Sequence, residues 1–434
     1  MAEDLSSVTF GFCDNGFFIP LARRLAQSGA RVLYHNLSWQ KSNPQLSDGI
    51  IGDGFPDIEC ALDIWAVKYE VDCFVFPDVG NMGMQKELAN QGFPVWGAKG
   101  GMKPEIDREF FMKKLAELGL DVPPYKKVVG LTALKDYLKD KKDIWIKVSR
   151  WRGTWETKHW RSWKQDGHKF DLWAVLFGGA KELIAFLCFD KIDSKIEIGA
   201  DTLNVDGHFP EYVLHGIEKK DESYFSAVTK RKDMPQEILN IMEAFGPYFA
   251  AEQYRNQFCM EVKVTEEASY FIDWTGRGGL PSTGSQILAI ENLPEVILAG
   301  AHGEFIEPEY NCKFTAECMV KVHGESNSWE TLDIPDELKP FLMLSDCCEV
   351  DGQAWWPGGN DELEDVGWLV ATGDTPTETA HLMNQLADML PDGANACVES
   401  LADIIREVEE MEANGIPFTD APMPDPEIVL EPST

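Results

Sequence analysis

A chain of 434 residues, 44% apolar and 11% aromatic, has enough hydrophobic material for two to four lobes with their own cores and needs no metal or disulfide staple. Its formal net charge of −34 repels a phosphate backbone and argues against general nucleic-acid binding as the main task. Ten cysteines without a CxxC pair, an N-terminus with no basic region before an apolar core, and the lack of any run of eighteen apolar residues predict a cytoplasmic protein with neither signal peptide nor membrane span.

The first hundred residues alternate strand and helix. Val8 to Cys13 reads as a strand, Asp14-Asn15-Gly16 as a turn, Phe17 to Ser28 as a helix ended by Gly29, then Arg31 to Tyr34 and Cys73 to Phe76 as further strands. That order predicts an α/β domain with a parallel sheet, and ligands are expected where strand ends meet loops. The loop at Asp14, Asn15 and Gly16 is one such place; an ordinary Asn-Gly turn into a helix is the other reading.

Asp107 to Leu118 and Leu131 to Asp140 follow as helices, and Ile144 to Val148 as an apolar strand carrying one lysine, Lys147. A lysine in such a strand must reach water, an acid or a phosphate. Between Lys139 and Lys169 this acidic chain gathers Lys141, Lys142, Lys147, Arg150, Arg152, Lys158, Arg161 and Lys164, which suits either the handling of an anion or a solvated basic face. Leu183 to Asp190 and Lys195 to Asp201 read as strands, and Met234 to Tyr248 as a helix.

Phe258 to Val264 and Ser269 to Trp274 then form a predicted hairpin about the turn Thr265-Glu266-Glu267. It carries one carboxylate on each strand, Glu261 and Asp273, and is followed by Arg277 and paired glycines. Two carboxylates side by side repel unless a cation neutralises them, and hard oxygen ligands suit magnesium. Two solvated acids on an edge hairpin are the bland alternative. Beyond it lie a helix ending at Gly300, a strand from Val366 to Thr372 and a helix from Thr377, and the region ends with Leu401 to Met411 and Gly415-Ile416-Pro417-Phe418.

In order and spacing these features resemble the ATP-grasp superfamily, and within it the glycinamide ribonucleotide synthetase (phosphoribosylamine-glycine ligase) type, whose last two catalytic strands carry a Glu, then a Glu-x-Asn followed by an Arg. Here the second group is Asp273-Trp274-Thr275, with Arg277 after it. The resemblance implies an N-terminal α/β substrate-side domain over 1–100, an ATP-grasp core over 101–310 with a small lid at about 125–200, a C-terminal α+β lobe over 311–418, and, by composition, a disordered Pro-rich acidic tail over 419–434.

It further implies ATP and Mg2+ as cofactors. Glu261, Asp273 and Thr275 would hold the metal. Lys147, Arg152, Gly153 and Lys158 would meet the phosphates, and the backbone at Phe189, Asp190 and Lys191 the adenine, with Glu197 in the next strand. Lys220, or Lys219 beside it, and Arg277 would act on the transferring group, and Asp14, Asn15 and Gly16 would contact substrate. The implied reaction is transfer of the γ-phosphate to a small-molecule carboxylate, followed by attack of an amine on the acyl phosphate. The segment SRWRGTWETKHW occupies the place of the family's glycine-rich phosphate-covering loop, yet has only Gly153 and carries Trp151, Trp155 and Trp160. A catalytically degenerate binding or structural protein of the same fold is therefore the rival expectation.

Overall fold

The computed structural model describes residues 4–37, 51–148, 157–194, 196–323, 329–357 and 364–426. Its contacts divide the chain into two units: unit 1 comprises Met1–Gly101, Ile198–Cys259 and Thr275–Thr434, and unit 2 comprises Met102–Glu197 and Met260–Trp274.

Unit 1 is built on a long mixed sheet. Its N-terminal part is parallel: Thr9–Asp14 pairs with Arg31–Asn36 on one side and Cys73–Phe76 on the other, and Glu59–Cys60 and Val95–Gly97 extend the two edges. These strands are short apolar runs because both faces are covered; Phe10, Phe12 and all of Cys73–Phe76 are buried. The antiparallel part runs in the order Leu342–Leu344, Glu364–Gly373, Phe314–Val322, Ser223–Lys230, Tyr212–Lys219, Ile196–Val205 and Arg255–Val264. The last of these joins the parallel part, with Arg255 opposite Gly97, and also pairs with Ser269–Thr275.

The first helix is shorter than its periodicity suggests, Ile19–Ala26 instead of Phe17 to Ser28. The physical reason is Asp14, whose Oδ2 accepts the N–H groups of Gly16 and Phe18 at 3.0 and 2.8 Å and holds those residues in a loop. The helix Gln236–Glu252 runs past its expected end at Tyr248, through Pro247, and stops where Gln253 turns left-handed at φ 51°. In the C-terminal part, Thr375 caps the helix Pro376–Asp388 by accepting the Glu378 N–H, and Val398–Ala413 packs on Tyr212–Lys219 and Ser223–Lys230. Of the tail, residues up to 426 are described, and the Thr419 N–H reaches back to Glu412 Oε1 at 3.4 Å.

Unit 2 holds a four-stranded antiparallel sheet in the order Tyr125–Val129, Ala185–Asp190, Lys142–Val148, Thr157–Ser162. Alternation of side chains puts Ile144, Ile146 and Val148 on one face, where they form a core with Leu134 and Leu138 of the helix Leu131–Leu138 and with Phe170, Trp173 and Phe177 of Lys169–Phe177. Among the described residues no helix is long and apolar enough to cross a membrane.

Candidate functional site

Because the odd-numbered residues of Lys142–Val148 point away from that core, Trp145 and Lys147 share the opposite face. Trp145 stacks on His159 at 4.5 Å between ring centroids. The Lys147 ammonium reaches the hairpin strand Ser269–Thr275, 3.4 Å from the Ile272 carbonyl and 3.5 Å from Asp273 Oδ1. A second cation meets the same oxygen: Arg108 Nη1 lies 2.5 Å from Asp273 Oδ1. Arg108 opens the helix Arg108–Glu117, capped by the Asp107 carboxylate on the Phe110 N–H, and its side chain is 3% exposed against 25% for Asp273. Phe111, on the same helix face, packs edge-on against Phe271 at 5.0 Å and Trp274 at 6.0 Å, which fixes that helix on the hairpin.

Asp273 is thus neutralised from within the chain by a guanidinium and an ammonium. The sequence reading missed Arg108, although a signal existed: Phe111, Met112 and Leu115 follow it at three, four and seven residues, so the arginine belongs to the buried stripe of its helix. Glu261 is half-buried on the neighbouring strand, two residues before Lys263, whose ammonium lies 3.3 Å from Glu197 Oε2. Glu261, Lys263 and Glu197 therefore share one side of the sheet.

The other residues singled out from sequence fall in several places. Lys158 is paired opposite Ile146, on the helix-covered face of the small sheet and not with Lys147; burial and then the nearby Lys169 lower its pKa. Arg152 and Gly153 lie outside the described residues. Phe189 is buried against Tyr125, whereas Asp190 and Lys191 are exposed where the strand gives out. Lys219 is bound to Glu407, and Lys220 sits in the exposed turn after it. Thr275 closes the hairpin, half-buried. In unit 1, Arg277 Nε lies 3.4 Å from Asp78 Oδ1, directly past the strand Cys73–Phe76, and its Nη1 donates to the Gly278 carbonyl at 3.0 Å.

Unit 1 also buries three acids away from any cation bridge. Asp14 accepts from Gly16, Phe18 and the Tyr34 hydroxyl on Oδ2, leaving Oδ1 without a hydrogen bond, and burial raises its pKa to about 7. Gly16 beside it has φ +113°, and a Cβ there would stand 2.3 Å from Asp346 Oδ1, so this turn requires glycine. Asp201 accepts from the Tyr224 hydroxyl at 2.6 Å and the Ser282 hydroxyl at 2.7 Å, and burial raises its pKa. Glu317 accepts the Ser285 N–H at 2.5 Å, its Oε2 has no hydrogen bond, and burial raises its pKa to about 7. Asp201 and Glu317 thereby fix both Ser282 and Ser285, at the end of the loop that begins with Arg277.

The parallel N-terminal strands, the small antiparallel sheet with its lysine strand and the carboxylate hairpin on the mixed sheet make this an α/β chain of the ATP-grasp fold. Solved structures similar to it include phosphoribosylamine–glycine ligase from Thermotoga maritima, at 16% identity, covering 90% of this chain and 99% of that one with a TM-score of 0.64. The biotin carboxylase domain of Hydrogenobacter thermophilus 2-oxoglutarate carboxylase, in complex with MgADP, ADP and bicarbonate, is 12% identical over 97% of this chain and 98% of that one, TM-score 0.62. An L-amino acid ligase from Bacillus licheniformis is 14% identical over 88% and 98%, TM-score 0.59. At these identities the likeness is one of fold. No family model matches the chain, and no curated protein matches it in sequence.

Proposed function

We propose that this protein is an ATP-dependent ligase that joins a small-molecule carboxylate to an amine through an acyl phosphate. The observation that carries the reading is the cluster of Lys147, Arg108 and Asp273: two cations and a carboxylate on the hairpin, set by a rigid strand and a helix start. Fold likeness over nearly the whole chain to enzymes named as ligases, and to a domain complexed with MgADP, supports the same reading.

In this reading Lys147 and Arg108 turn to nucleotide phosphate, with Arg152 and Gly153 contributing from the covering loop, while Lys158, on the helix-covered face of the small sheet, takes no part. Backbone groups at Phe189, Asp190 and Lys191 take the adenine edge, and Glu197 borders it. Arg277 and Lys220 stabilise charge on the transferring group, and the turn Asp14-Asn15-Gly16 meets the substrate through half-buried Asn15, with buried Asp14 and Gly16 holding the turn in shape. The four-part division into substrate-side domain, core with lid, C-terminal lobe and tail belongs to the same proposal. A magnesium ion fits the donors available: it needs only one or two carboxylates when the nucleotide brings its own oxygens, and Glu261 and Asp273, with the Thr275 hydroxyl, would supply them. Among the described residues no group of three His, Cys, Asp or Glu is placed to hold a metal ion by itself. When bound, magnesium would neutralise phosphate charge during transfer.

The ion pair between Asp273 and Arg108 favours the rival reading, a binding protein in which an arginine has taken the metal's place. Two measurements separate them. Thermal melts with ATP, with and without magnesium, should show stabilisation of about 2.7 kcal/mol at a hundred times the dissociation constant. ADP release with pooled carboxylic acids and amines should be magnesium-dependent. Stabilisation without turnover would establish the binding protein, and no response to ATP in either assay would remove both.

A further inference from the structure

We infer that the chain forms a two-fold homodimer through the exposed ridge of the helix Lys169–Phe177 in unit 2. This helix is apolar on both sides. Phe170, Trp173 and Phe177 fill the core of the unit, while Leu172, Val175 and Leu176, at three- and four-residue spacing, are 62%, 80% and 44% exposed. Leu183, shortly beyond the helix, is 81% exposed. A helix that is hydrophobic all round is normally covered all round, and a contiguous aliphatic stripe of this kind marks a contact surface.

The charge distribution identifies the occupant. Unit 2 holds 21 of the 39 Lys and Arg and 19 of the 73 Asp and Glu, so it carries a formal +2 and leaves −36 on unit 1. Two copies meeting through unit 1 would set one strongly anionic surface against another. Meeting through unit 2 avoids that repulsion. The exposed or half-exposed charges next to the ridge are Lys169, Asp171, Lys181 and Glu182, two of each sign. A two-fold axis can therefore set lysines of one copy against acids of the other, the self-complementarity that a closed isologous contact requires. A patch of a few hundred Å2 per copy gives an interface near the lower limit of about 1,000 Å2, hence a reversible, concentration-dependent dimer.

Sedimentation velocity on the full chain across a wide concentration range, at low and high sodium chloride, tests this. The expected result is a monomer–dimer equilibrium that tightens with salt, because screening relieves the repulsion between the anionic units. Val175→Glu and Leu172→Glu should each weaken the dimer by about tenfold or more with unchanged circular dichroism, since both side chains face water in the monomer. A monomer at every concentration overturns the inference. So does a dimer indifferent to both substitutions, or a monomer whose ridge instead carries it onto phosphatidylserine vesicles in a co-sedimentation assay.

Discussion

Asp273 in unit 2 and Glu317 in unit 1 are both acids on strands, yet the chain neutralises them by opposite means. Asp273 is paired with Arg108 and Lys147. Glu317, fully buried with one backbone N–H on Oε1 and no hydrogen bond to Oε2, is driven towards its protonated form. The first arrangement gathers two cations and an acid at the place proposed to handle an anion. The second fixes a loop and makes stability depend on pH. Placement of a cation, not burial of the acid, separates a candidate reactive group from a structural one.

The sharpest way to break this contrast is to remove charge from the hairpin. Asp273→Asn and Glu261→Gln should each abolish magnesium-dependent nucleotide turnover while the fold persists; unchanged ATP consumption in both would place the metal elsewhere. Arg108→Gln attacks the same pair from the other side. Removing one partner of a buried ion pair usually costs 3–5 kcal/mol, and the partial exposure of Asp273 and the remaining Lys147 bring this case to about 3 kcal/mol by urea denaturation. A loss below about 1 kcal/mol would mean that Asp273 is solvated and the pair is incidental.

Glu317→Gln probes the other half of the comparison. The carboxyl titrates at 4.5 when free and at about 7 in the fold, so between those values the folded protein binds more protons than the unfolded chain. Its contribution to stability is complete below pH 4.5 and is lost as pH rises through 7. Gln removes that loss. The variant should be more stable than the parent at pH 8, by on the order of 2 kcal/mol, and similar to it at pH 4. Asp14 and Asp201 act with the same sign, so the slope flattens only in part. A variant less stable at pH 8 would show Glu317 to be charged and satisfied.

Much of this architecture was legible in the sequence because its signals are local. The apolar run of Cys73–Phe76, the helix that starts at Asp107 and the single lysine among Ile144, Ile146 and Val148 each needed only neighbouring residues. The strands Tyr212–Lys219, Ser223–Lys230 and Phe314–Val322 were not read as strands, and with them Glu317 and Tyr224 escaped notice. Pairing of Arg108 with Asp273, and of Asp201 with Tyr224 and Ser282, joins residues far apart in the chain, and sequence spacing carries no information about such contacts. The clue that was present is burial: an acid inside FTAECMVKV or an arginine on a helix's apolar stripe needs a partner, even when the sequence does not name it.

The finest test concerns a single hydroxyl. Tyr224 donates to Asp201 Oδ2 at 2.6 Å while Ser282 holds Oδ1, and the tyrosine reaches that position because Gly216 leaves room; a Cβ there would stand 2.2 Å from the Tyr224 oxygen. Tyr224→Phe keeps the ring packing and removes one donor, so one oxygen of a buried carboxyl loses its hydrogen bond. The expected cost is about 1–2 kcal/mol. Because burial already raises the Asp201 pKa, losing the donor raises it further, and the penalty should be larger at pH 8 than at pH 5. Gly216→Ala, by displacing the same ring, should reproduce that pH dependence with added strain. A penalty for Tyr224→Phe that is equal at both pH values would show that Asp201 is protonated throughout, and that the network fixing Ser282 is neutral and holds no stored charge.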